Sequence, residues 1–74
     1  MDKSTIKTMI VGKLKAEKRG LITHEQMMMY VFTLMEVATQ LDIMYDCSYM
    51  FEQYNNLLSS NETEFQEACE YFGI

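Results

Sequence analysis

Met27–Glu36 reads MMMYVFTLME, a nearly unbroken apolar run in a chain of 74 residues. Successive helical residues stand about 100° apart, so three methionines in a row cannot share one face. With Met27 as the zero of the wheel, Val31, Leu34, Ala38 and Leu41 lie within roughly 40° of it and form an inward seam. Met28, Phe32 and Met35 gather near ~80–140° as a second apolar strip. Only a narrow sector, holding Thr33, Glu36, Gln40 and the misplaced Met29, is polar. The apolar arc is about twice the width that a surface helix ordinarily uses. Such a helix has to be nearly surrounded, either by its own chain or in part by another molecule.

The rest of the chain supports a helical reading. There is no proline and there are only three glycines, whereas Met, Leu, Glu, Lys and Gln, which favour helix, are plentiful. The composition, 49% apolar and 23% charged, is that of a globular protein rather than a disordered one. We therefore expect an all-α fold, a small bundle of three to four helices in a single domain over residues 1–74. So short a chain buries only about 60% of the surface that its unfolded form exposes. Its own core is modest, and completion of the bundle by dimerisation is a natural expectation.

Working outward, Lys3–Lys18 reads as a first helix, with Asp2 or Ser4 to cap it, Lys residues in its last turn and Gly20 as its stop. Its apolar members Ile6, Met9, Ile10 and Leu14 span roughly 140° of the wheel. Lys3 and Lys13 fall inside that arc and must reach past it to water. Leu21 and Ile22 are placed to supply the apolar contact that often follows a glycine cap. Thr23-His-Glu-Gln26 matches the capping box and starts the second helix. Beyond its seam, Met44, Cys47, Phe51, Tyr54 and Leu58 form another regular seam in a different phase. That change of phase predicts a bend or break between Asp42 and Ser48, with Asp46 or Ser48 capping the new segment. Asn55–Asn61 is rich in turn formers, and Glu62–Phe72 follows as a last helix ending at Gly73, with Phe65, Ala68, Cys69 and Phe72 as its stripe.

The distribution of charge says more than the net value of −5. All six basic residues precede Gly20; of the eleven acidic ones only Asp2 and Glu17 do, and nine follow. A basic first helix thus precedes an acidic body, and we expect it to lie against its own acidic helices with the opposite charges setting register. Direct binding of DNA or RNA is not expected, because the acidic body would repel the backbone that the lysines attract. The first residues lack the apolar core of a secretory signal, and no apolar run approaches the ~20 residues that span a bilayer. A cytoplasmic protein with no membrane association is the expectation, with Cys47 and Cys69 as buried thiols.

Chemistry-bearing patterns are sparse. His24, the only histidine, sits in a first helical turn with no nucleophile nearby in sequence. His24, Cys47 and Cys69 have none of the paired spacing that zinc modules show. Carboxylates at helical spacing, Asp42 with Asp46 and Glu67 with Glu70, form an acidic surface of the solvated kind. No enzyme activity, metal or cofactor is expected. The leading expectation is a non-enzymatic protein–protein interaction module, a small regulator or inhibitor acting through Met28, Met29, Phe32 and Met35 on a protein partner or on its own copy, a homodimer being favoured. One alternative is an acidic mimic of nucleic acid that blocks a nucleic-acid-binding protein. A second is a structural subunit of a larger assembly.

Overall fold

The computed structural model of the protein describes residues 1–74 as four helices without strands: α1 Lys3–Lys18, α2 His24–Gln40, α3 Met44–Asn56 and α4 Glu62–Phe72. Local chemistry sets most of these boundaries. The Asp2 carboxylate accepts from the Thr5 amide at 2.8 Å and caps α1. That hydrogen bond holds the Asp2 carboxyl below its ordinary pKa. Its stabilising contribution is therefore present above the usual aspartate range and is lost as pH falls through the lowered value. At the other end of α1, Gly20 takes the left-handed conformation (φ +78°). The Leu21 and Gly20 amides then return to the carbonyls of Ala16 and Glu17, both at 2.9 Å, as a Schellman motif.

The capping box of α2 is complete. The Gln26 amide donates to Thr23 Oγ1 at 3.0 Å, and the Thr23 amide donates to Gln26 Oε1 at 2.9 Å. Ile22, just before the cap, packs against the core, but Leu21 is 71% exposed and makes no such contact. Asn61 caps α4 by accepting from the Glu64 amide at 3.0 Å. Gly73 and Ile74 close that helix onto the Glu70 and Cys69 carbonyls.

The break between α2 and α3 lies at Leu41–Ile43, the upstream edge of the expected window. It uses neither Asp46 nor Ser48 as a cap. Ile43 precedes α3 with no side-chain capping bond, and the Ser48 hydroxyl donates back to the Tyr45 carbonyl at 2.8 Å. The stop is another Schellman motif: the Ile43 amide reaches the Ala38 carbonyl at 2.9 Å and the Asp42 amide reaches Thr39 at 3.1 Å. Asp42 sits at the left-handed position (φ +58°) where glycine is the usual choice. Leu41, the last member of the inward seam, is carried out to 49% exposure as the chain leaves the helix.

Asp42 is unfavourable at this position on two counts: the left-handed backbone strains any residue with a Cβ, and its charge opposes the negative end of the α2 dipole. Asp42→Gly should raise stability by about 1 kcal/mol. The check is a higher urea midpoint at unchanged slope.

One apolar core joins all four helices. Ile6, Ile10 and Leu14 of α1, Met27, Val31, Leu34 and Ala38 of α2, Cys47, Met50, Phe51 and Tyr54 of α3, and Phe72 of α4 compose it. The inward seam of α2 is thus buried from Met27 to Ala38. The most surrounded helix, however, is α3, which packs against the other three; α2 packs against α1 and α3. This central position buries Met50 and Gln53, residues that the seam from Met44 to Leu58 passes over. It also leaves α2 with a side that no neighbour covers.

Candidate functional site

On the uncovered side of α2, Met29 is 63% and Phe32 56% exposed, and Met28 beside them is half-buried. Met35 is half-buried and packs against the core, which places it at the inner edge of the strip. Met29 and Met28 precede Phe32 by three and four residues, so each is a neighbour of the ring on the helical surface.

The acidic residues lie elsewhere on the surface. Asp42, Asp46, Glu67 and Glu70 are all exposed. The expected matching of the basic helix to acidic helices by ion pairs is not what the structure contains. The one close contact between a carboxylate and a basic side chain is His24 Nδ1 with Glu17 Oε2 at 2.9 Å, across the turn from α1 to α2. The lysines that face the bundle rest on aromatic rings instead. Lys7 Nζ lies 4.0 Å from the centroid of Tyr71, and Lys13 Nζ 5.0 Å from that of Tyr30. A ring lets a lysine stem lie on apolar surface while its charge meets the negative π-face, which resolves the placement of Lys13 inside the apolar arc. Tyr71 also meets Tyr49 and Phe72 edge to face, at 5.4 and 4.9 Å between centroids. Lys7, Tyr71 and Tyr49 therefore tie α1, α4 and α3 together at one place.

Further along, α1 and α4 leave a groove of about 660 Å³ between the C-terminal half of α1 and the face of α4 that carries Phe65 and Cys69. Tyr54 of α3 lies at its base, 4% exposed, and Leu58 and Ile74 stand at its sides, half in solvent. The Tyr54 hydroxyl is buried and has no hydrogen-bond partner. Burial, reinforced by the negative charge of Glu17, pushes its pKa up. Sequence periodicity does not reveal this groove. Leu57 and Leu58 fall in a turn-forming stretch, Ile74 lies beyond the last helix, and Phe65 reads as a core residue of the α4 stripe. Two adjacent leucines among turn formers, in NNLLSSN, were the one available signal.

The cysteines part company. Cys47 is fully buried, and burial together with the neighbouring Asp46 pushes its thiol pKa up. Cys69, expected to face the interior, is half-buried and lines the groove. It departs from expectation because α4 turns Ala68 and Phe72 inward, so the position after Ala68 swings to the side of the helix. Alkylation of the folded protein at neutral pH should modify Cys69 first, and Cys47 only after denaturant is added. Mass spectrometry of the singly modified product checks the order; native modification of Cys47 would show that α3 is rotated from the position described.

His24 is exposed and held by Glu17. His24, Cys47 and Cys69 are not brought together as a ligand set. No helix is long and apolar enough to cross a membrane. No protein family, curated protein or solved structure matches the chain.

Proposed function

We propose that the protein is a non-enzymatic interaction module, a small regulator or inhibitor that docks the outer face of α2 onto a protein surface, in the first instance that of a second copy of itself. The observation that supports this reading is the exposure of Phe32 and Met29 in the middle of a helix whose opposite face is fully buried. A large aromatic ring beside two flexible thioether chains is the kind of surface that interfaces enrich, because methionine adapts its shape and the ring contributes area at little entropic cost. The residues share one helical turn, which suits an isologous pairing of α2 with α2 across a two-fold axis.

Light scattering after size exclusion tests the reading. Near micromolar concentration the protein should elute as a dimer, at twice the 8.7 kDa of the chain. A monomer throughout would contradict self-association and leave the face to a different protein.

A second reading, an acidic mimic that occupies a nucleic-acid-binding cleft, draws support from the nine carboxylates after Gly20, none of which pairs closely with a lysine or arginine. The two differ in their response to salt. Binding through charge weakens steeply as the Debye length falls from ~10 Å at 0.1 M to ~3 Å at 1 M, whereas apolar docking persists.

A further inference from the structure

The chain contains eight methionines, and the fold sorts them by exposure. Met27 and Met50 are fully buried in the core, and Met9, Met35 and Met44 are half-buried and packed against it. Met28 is half-buried beside Phe32. Only Met1 and Met29 are exposed, and Met1 lies outside the helices. The winding of α2 accounts for the contrast within its first turns: Met27 points inward, and each following methionine is carried about 100° further round. Met29 is thus the one exposed methionine within a helix, and it stands on the outer face of α2 three residues before Phe32.

Exposure matters because a thioether is a nucleophile. Its sulfur lone pair attacks the terminal oxygen of a hydroperoxide, an S–O bond forms and the O–O bond breaks. The proton on that oxygen passes to the departing one, which leaves as water or an alcohol. The peroxide is reduced by two electrons, and methionine is oxidised to its sulfoxide. A flexible apolar side chain becomes a polar one, which disrupts cores and methionine-rich interfaces alike. At Met29 the core is spared, since that side chain is neither part of it nor packed against it. Only the outer face of α2 changes character.

We propose that Met29 is an oxidation site through which hydroperoxides control the association of α2. The proposal rests on the reading of that face as a surface for a second copy of the chain. In an isologous pairing each subunit brings one Met29, so two S=O groups are placed among apolar side chains and lose their hydrogen bonds to water. The thioether is accessible in the single chain and covered in the pair. Peroxide therefore takes the free subunit, and the equilibrium follows by mass action towards monomer. Enzymic reduction of the sulfoxide restores the apolar surface.

The test treats the full-length protein with dilute hydrogen peroxide at neutral pH. A thiol reductant is then added, which reverses oxidation of the cysteines and leaves the sulfoxides in place. Peptide mass spectrometry should find Met29 oxidised before every other methionine except Met1, and more slowly at concentrations where the protein is dimeric. The singly oxidised protein should keep its helix content by circular dichroism, and by light scattering its dissociation constant should rise about tenfold or more. Met29→Leu should dimerise and keep its dissociation constant after the same treatment. Prior oxidation of Met28 or of a core methionine, loss of helix on oxidation at Met29, an oxidised protein as dimeric as before, or a Met29→Leu variant that still dissociates overturns the proposal. An untreated protein that is already monomeric overturns the reading of α2 itself, whereas a dimer that survives oxidation at Met29 overturns the switch alone.

Discussion

Truncation of Ile10 to alanine is expected to cost about 2–5 kcal/mol of stability. Ile10 has no exposed surface and lies in the core that all four helices share, so its loss removes apolar burial and leaves a cavity that rigid neighbours only partly fill. Domains are stable by only about 0.05–0.15 kcal/mol per residue, so one such change removes a large share of what a chain this size possesses. Phe32→Ala, a truncation of a larger side chain in a more apolar stretch, should change stability by less than about 0.5 kcal/mol when measured below the concentration at which the chain associates. Urea midpoints at unchanged slope provide the comparison. Equal losses for the two variants would mean that Phe32 belongs to the core and that α2 is rotated from the position described.

Phe32→Asp should give a folded monomer. Full burial of a phenylalanine contributes about 1.5–3 kcal/mol; Phe32 is already nearly half covered in the single chain, so about half of that is lost from each subunit of an isologous dimer. The dissociation constant is therefore expected to rise by roughly one to two powers of ten, before the added cost of placing two carboxylates in an apolar interface. Circular dichroism should report unchanged helix content, and light scattering should report a single chain. Charge reversals at Asp42, Asp46, Glu67 and Glu70 should leave the association intact, and so should 1 M salt. A variant that stays dimeric would move the interface off α2, and a dimer that dissociates in salt would favour the acidic surface.

How much of this was legible in the sequence depended on the range of the interactions concerned. Asp2, Thr23 with Gln26, Asn61, Gly20 and Gly73 act within one helical turn, and the bounds of α1, the start of α2 and both ends of α4 follow from them. The α2–α3 break was less legible because Asp42 takes a conformation usually reserved for glycine, just before Ile43 packs onto the core. The inward seam of α2 was readable from its period. That α3, not α2, would be the most enclosed helix was not, since it depends on how four helices share one core. The same limit applies to the positions of Lys7 and Lys13. Carboxylates are the obvious partners for lysines in a chain with so many acids, yet the rings of Tyr71 and Tyr30 are where the packing places them. The groove is illegible for a related reason: Phe65, Cys69 and Ile74 line a gap between α1 and α4, which meet at Lys7 and Tyr71 and stand apart further along.

The proposal that the outer face of α2 is an association surface is tested most directly by dilution of the 15N-labelled protein through its dissociation constant, with amide shifts followed residue by residue. Progressive shifts should centre on Met28, Met29 and Phe32, with the amides of the α1–α4 groove and of the Asp42, Asp46, Glu67 and Glu70 surface unmoved. Shifts centred anywhere other than α2, or none between micromolar and millimolar concentration, would contradict it.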